Sequence, residues 1–273
     1  MKSRAHIWDY VLTGIAMLVI LFPLFWMVSV SLKSDAEQFA SPPTLLPIAP
    51  TLDSYVKLFD ATNFVTYTFN SLIVAVCTVV LALAIASPAS YALTRFPFLA
   101  KPVFSASVLF IYMFPPILLG VPLFIIFARL GLTNSLFGLV LAHTTFALPF
   151  VIWMLRDFFL AVPRDVEDSA MVDGCSRLRA LWSIVLPMAR PGLIAAGIFT
   201  FILSWNDYIY ALILIKSESS KTLSLGISMF LESTSIEPGL MMSSGVLITA
   251  PILVMFMFIQ KYLVQGLGAG SVK

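Results

Sequence analysis

Residues 157–190 read DFFLAVPRDVEDSAMVDGCSRLRALWSIVLPMAR. The stretch is longer than a simple connector. Pro163 can open a helix, and Asp165, Glu167 and Asp168 follow in its first turns, where acids suit the helix dipole. Gly174 falls where such a helix would end. Ser176 can cap a second helix, expected to run to about Val185 and stop before Pro187. Val166, Ala170, Leu178, Leu181 and Trp182 supply more apolar surface than a solvated loop needs. A helix–turn–helix that packs against something is the reading. DNA binding fits poorly, because four acids accompany the arginines and the flanking sequence is that of a membrane protein.

On either side lie apolar runs, 132–155 and 191–215, whose one charged residue is Asp207. Four further runs complete the set: 10–31, 71–93, 102–128 and 238–260. A membrane helix needs about 20 apolar residues. Runs this long and uniform are helices rather than barrel strands. Composition agrees. The AVILMFWYC residues make up 60% and charged residues 11% of the 273, against roughly 45–50% and 25% in an ordinary soluble domain. Mean hydropathy is +0.99. Nucleic-acid-binding domains and ordinary soluble enzymes are excluded. The expected fold is an all-α membrane protein with six transmembrane helices.

Charge placement orients it. Of the 16 Lys and Arg, five (Lys33, Lys57, Arg129, Lys216, Lys221) fall on the side opposite the 157–190 segment and eleven on its side. Both termini and 157–190 are therefore expected to be cytoplasmic. The run 10–31 is too long for a cleavable leader, so it is expected to be a retained span. The whole chain, 1–273, reads as one transmembrane domain. Its first outer loop, 32–68, opens with SPPTLLPIAP, which cannot be regular helix. Then Leu52, Tyr55, Val56 and Phe59 recur at helical spacing, with Thr51 as a possible cap. That helix either lies along the membrane interface or packs on the spans as a lid. Seven prolines lie in the interiors of the spans, and Pro115–Pro116, Gly120 and Pro122 are expected to break the third.

The long segment also carries a spaced pattern. Membrane subunits of ABC importers have E-A-A-x3-G-x9-I-x-L-P in this loop. Here Asp168-Ser169-Ala170, three residues, Gly174, nine residues, Ile184, one residue and Leu186-Pro187 reproduce every spacing, with Glu replaced by Asp and the first Ala by Ser. The chain resembles the carbohydrate-uptake branch of these subunits, which includes the smaller membrane subunit of the maltose importer. Asn70-Ser71, Trp205-Asn206-Asp207 and the tail QKYLVQGLGAGSVK share the likeness. The resemblance implies a type I ABC importer permease fold in a bacterial cytoplasmic (inner) membrane. It implies a non-catalytic subunit that forms half of a sugar pathway by alternating access. The implied partners are a second permease subunit, two ATP-binding subunits holding ATP and Mg, and an extracytoplasmic sugar-binding protein. By match, Glu167, Asp168, Ser169, Ala170, Asp173, Gly174 and Arg177 would couple the 157–190 loop to the ATPase. The cytoplasmic tail, 262–273, would reach the ATPase interface; simple disorder is the plain alternative.

Asp207 is a functional candidate because it is an acid within a span. With Trp205, Asn206 and Tyr208 it could line a sugar pathway, tie two helices together or form an interfacial belt. His143 reads as a packing residue. Cys77 and Cys175 read as unpaired thiols. The sequence has no phosphate-binding G-x4-G-K-[ST] and no catalytic or metal-ligand constellation, so this chain is expected to bind no cofactor or metal. A self-contained ion-coupled transporter or channel is the competing reading. It explains Asp207 and the kinked spans but not the spaced loop.

Overall fold

A computed structural model describes residues 7–232 and 237–269. Among the described residues the chain is helical throughout, with no strand. The helices are α1 (Ile7–Ser31), α2 (Asp35–Gln38), α3 (Asp53–Ala61), α4 (Phe64–Arg95), α5 (Lys101–Met113), α6 (Pro116–Arg129), α7 (Leu136–Leu160) and α8 (Arg164–Val172). They continue as α9 (Arg177–Met188), α10 (Arg190–Trp205), α11 (Ile209–Leu214), α12 (Leu223–Glu232) and α13 (Pro238–Ala269). Two compact units result. One is the chain up to Val65 with Gly226–Leu253; the other is Thr66–Leu225 with the chain from Val254 onward.

Four helices are individually long and apolar enough to cross a membrane: α1, α4, α7 and α13 through Met257. The expected third span is two helices, α5 and α6. Its break falls at Phe114–Pro115, because Pro115 and Pro116 have no N–H to continue the ladder. The expected fifth span is also interrupted, which corrects the reading of it as one continuous helix. Helix α10 stops at Trp205 and α11 begins at Ile209. Two further boundaries differ from expectation. α9 passes Pro187 instead of stopping before it. A π turn over Leu181–Val185 widens the helix, and the Leu186 N–H reaches back five residues to the Leu181 carbonyl. α13 continues through most of the tail to Ala269, so the described part of 262–273 is helix, not coil. Residues 270–273 and the N-terminal Lys2 and Arg4 lie outside the described residues.

In the first unit the loop 32–52 folds back on the end of α1. The Ser29 hydroxyl donates to the Leu45 carbonyl (2.6 Å), and buried Lys33 donates to the Thr44 carbonyl (2.5 Å) and sits over the Trp26 ring. Glu37 accepts from the Thr44 hydroxyl (2.7 Å) and the Ile48 N–H (2.9 Å). Gln38 bridges to the start of α13 by accepting from the Gly239 N–H at 2.7 Å. α3 forms where the spacing predicts a helix. Leu58 and Ser54 are buried, whereas Leu52, Val56 and Phe59 are exposed. Tyr55 of the same stripe is half-buried.

The second unit holds the core. Ala82 and Ala86 of α4 pack with Ala147, Val151 and Leu155 of α7 and with Leu181, Val185 and Ala196. Small residues at these crossings let the backbones approach closely, as membrane helices demand. A second cluster joins Phe127, Leu139, Ala142, Tyr210 and Leu214. Polar side chains pin the packing: Ser90 donates to the Ile152 carbonyl (2.9 Å), while Asn70 donates to the Ser219 and Lys221 carbonyls (2.9 Å each). Neighbouring Ser71 accepts from the Leu223 N–H at 2.7 Å. The Asn70-Ser71 pair therefore fastens the segment after α11 to α4.

Candidate functional site

The 157–190 segment is built as its sequence suggests. α8 begins after Pro163 and ends at Val172, with Gly174 at φ +85°. The Gly174 N–H donates to the Met171 carbonyl (3.1 Å) and the Cys175 N–H to the Ala170 carbonyl (2.9 Å). This is a Schellman closure, and it needs a residue in the left-handed region. A Cβ on Gly174 would meet nothing within 4 Å, so the requirement is conformational and not spatial. Gly131, at φ +67°, closes α6 with the same pair of bonds. Ser176 caps α9 by accepting from the Arg179 N–H at 3.3 Å.

α8 has two chemically distinct faces. Glu167, Ala170 and Met171, spaced i, i+3, i+4, turn inward; Glu167 is 3% exposed and the other two are half-buried. Asp165, Asp168, Ser169, Val172, Asp173 and Gly174 are exposed. Arg177 is exposed as well, with its guanidinium over the Phe96 ring at 5.2 Å. Of the residues matched to the importer pattern, all but Glu167 and Ala170 therefore meet at an open surface. Val172, at 87% exposed, is an apolar side chain at the centre of that surface.

Glu167 serves a different arrangement. Arg95, at the end of α4, donates through Nε to Glu167 Oε1 at 2.6 Å, and its Nη2 also pairs with that oxygen. The same Nη2 donates to the carbonyls of Phe159, in the last turn of α7 (3.1 Å), and of Val162, just after it (3.0 Å). Tyr91 donates to Glu167 Oε2 at 3.0 Å. Arg164 adds a bond to the Thr94 carbonyl at 2.9 Å. Sequence reasoning counted Arg95 only as an orienting charge. Its partner lies 72 residues away, and the signal available was only a basic residue closing a long span.

The second candidate cluster surrounds the break between α10 and α11. Asp207 Oδ2 accepts from the Ala211 N–H (3.1 Å) and Oδ1 from the Tyr210 N–H (3.4 Å), so the carboxylate caps α11 and ends the fifth segment's continuity. His143 Nε2 lies 3.0 Å from Oδ2, in ion-pairing range but off the line of the ring N–H. His143 Nδ1 and the Ser204 hydroxyl share a 2.7 Å hydrogen bond. Trp205 is 2% exposed and stacks on Phe201 with ring centroids 5.4 Å apart. Tyr208 is half-buried and Asn206 exposed. The four residues thus divide: Trp205 and Asp207 are absorbed into packing and capping, and Asn206 is presented. Among the described residues no three His, Cys, Asp or Glu side chains converge as a metal site would need.

The described chain consists of long, broken and bent helices and carries a short, exposed helix closed by a glycine turn. The same fold occurs in a chain of the crystal structure of a bacterial ABC transporter involved in the import of the acidic polysaccharide alginate. It superimposes with a TM-score of 0.82 over 96% of this chain and 99% of that one, at 24% identity. Residues 79–268 match the family described as binding-protein-dependent transport system inner membrane component, and the chain belongs to that family. It is 34% identical over 100% of its length to the inner membrane ABC transporter permease protein YcjP of Escherichia coli K12, covering 98% of that protein. It is 35% identical to the trehalose transport system permease protein SugB of Mycobacterium tuberculosis, over 99% of this chain and 98% of SugB. These relatives are transport components, not enzymes, and membership removes the self-contained transporter or channel.

Proposed function

We propose that this chain is one of two permease subunits of an ATP-driven bacterial importer for a sugar or sugar derivative. It crosses the cytoplasmic membrane six times, with α5–α6 and α10–α11 as its two broken spans and both termini in the cytoplasm. A second permease completes the pathway, two ATP-binding subunits hold ATP and Mg, and an extracytoplasmic binding protein delivers the sugar. The sugar assignment is supported by the trehalose system whose permease subunit the chain is similar to.

The observation that carries the coupling role is the exposed face of α8. A short helix with Asp168, Ser169, Val172 and Asp173 outward and a rigid Schellman turn at Gly174 suits a cleft in a partner protein. Acids at its rim match basic groups, and Val172 supplies an apolar centre. In the pathway, Asn206 and Tyr208 at the break in the fifth segment are the residues we assign to sugar contact. Irregular backbone at membrane depth is tolerated where it is buried in protein or lines a cavity.

The test is recovery of the tagged chain from native membranes in mild detergent, with the co-purifying proteins identified by mass spectrometry. A second multi-span permease and a Walker-motif ATPase are expected. Gly174→Asp is expected to lose the ATPase alone. Recovery of the chain by itself, transporting in liposomes without ATP, would overturn the proposal.

A further inference from the structure

We propose that Arg95 and Glu167 are positioning residues that lock α8 to the ends of α4 and α7, so that these three helices move as one body when the exposed face of α8 is pushed. The inference rests on the docking role proposed for α8 and adds the residues that pass the displacement inward.

The pair is buried, with side chains 5% and 4% exposed. An ionised pair in such a place persists only when nearly every polar atom is matched. Here Glu167 accepts from Arg95 and Tyr91, while the guanidinium also satisfies the Phe159 and Val162 carbonyls. The Phe159 carbonyl lies in the last turn of α7 and the Val162 carbonyl just after it, where a helix end leaves acceptors for outside donors. One guanidinium therefore joins the last turn of α4, the end of α7 and the first turns of α8. Apolar packing alone would let α8 slide along its neighbours. A forked, charge-assisted contact has a single geometry and resists both sliding and rotation.

The two faces of α8 divide the labour. Glu167 points inward and Asp168, its neighbour in sequence, points outward. Arg164, on the inward side, bonds the Thr94 carbonyl, so the start of α8 is held to α4 at two points. A force on the outward face reaches α4 through groups with little freedom to absorb it.

The experiment measures whether α8 and α4 keep a fixed separation while the complex works. Nitroxide labels are placed on native Cys77, exposed on α4, and on Val166→Cys, at the exposed flank of α8, with Cys175→Ser removing the other thiol. The intact complex is purified and its label–label distance measured by electron–electron resonance, nucleotide-free and trapped with ATP and orthovanadate. ATPase retention is scored in the same samples. For the unmodified pair the mean distance is expected to shift by less than about 2 Å between states, the scale of small interface adjustments. Glu167→Gln is expected to keep the ATPase and to shift or broaden the distribution beyond that. The double variant Arg95→Met/Glu167→Leu leaves no buried charge unmatched, so it folds even if the single variant does not. It too is expected to retain the ATPase and lose the fixed distance. Variants that retain the ATPase with a distribution identical to the unmodified pair would overturn the lock and leave docking intact. Failure of the unmodified chain to bring down an ATPase would overturn the docking reading and the lock with it.

Discussion

His143 Nε2 sits 3.0 Å from Asp207 Oδ2, and this pair bridges α7 to the break between α10 and α11. Two backbone N–H groups, of Tyr210 and Ala211, donate to that carboxylate, with the imidazole beside it. The histidine also meets Ser204, one turn before the break. The interruption of the fifth segment is therefore a fastened structure, held from the neighbouring helix.

Asp207→Ala strips those donors of their acceptor. Unsatisfied buried polar groups cost about 1–3 kcal/mol, so the purified complex is expected to melt at a lower temperature. Asn206→Ala exposes no such donors and is expected to leave the melting temperature unchanged while weakening uptake of the cognate sugar. Thermal melting and uptake kinetics on both variants check the division. A melting loss in Asn206→Ala with normal uptake would reverse it.

At Gly174 the left-handed backbone disfavours any side chain by about 1–2 kcal/mol. Because the space around it is open, Gly174→Ala is expected to keep membrane insertion and to retain part of its ATPase binding. Gly174→Asp adds a charge to the exposed face and is expected to lose that binding. Comparing ATPase recovery for the two substitutions separates backbone strain from surface disruption.

Gly192, near the start of α10, faces Phe158. A Cβ there would lie 2.4 Å from the ring Cγ and 2.8 Å from the Phe158 Cβ. The near atoms include the root of the side chain, which a rotamer change does not move away. Gly192→Ala is expected to destabilise the α7–α10 crossing by about 1–3 kcal/mol, the usual range for overpacking. Melting of the purified complex measures it, and Phe158→Ala in the same chain is expected to recover part of the loss.

Glu37 titrates below its usual value, first because the Thr44 hydroxyl donates to it, with the Ile48 N–H and the Lys33 charge adding to the effect against a partial desolvation. A depressed carboxylate stabilises the fold above its unfolded value near 4.5 and loses that contribution as pH falls through the folded value. The proline-rich loop is therefore expected to resist proteolysis at pH 7 and to be cut faster once the pH falls through the lowered Glu37 value. Acid-tolerant protease digestion checks this. Glu37→Gln should be cut at similar rates at both pH values.

Hydropathy made the long helices legible, and Pro115–Pro116 announced the break between α5 and α6. The break at Asn206–Tyr208 has no proline. Its agent is the Asp207 carboxylate competing for backbone N–H groups, a role that a mid-span acid shares with several others. His143 looked solitary because Ser204 and Asp207 lie 61 and 64 residues further along the chain, a distance helical periodicity does not cross. Glu167 and Asp168 are adjacent acids in one helical turn, and nothing local separates them. Only Arg95, arriving from α4, makes one an internal anchor and leaves the other outside. On α3 the apolar stripe was legible, but its direction was not, since lipid and protein both accept it.

α9 and α10 meet at 81° across Ala189, and the corner is packed by buried Val185 and Leu186. They form a bell crank, two stiff arms around a nearly right-angled elbow. The longer arm, Arg190–Trp205, has 16 residues and so measures about 24 Å. Turning the elbow by about 10° swings its far end by about 4 Å, given that length. That far end carries Ser204, whose bond to His143 is 2.7 Å long. The swing from a tilt of that size at the elbow would exceed the length of that contact at the opposite end of the helix.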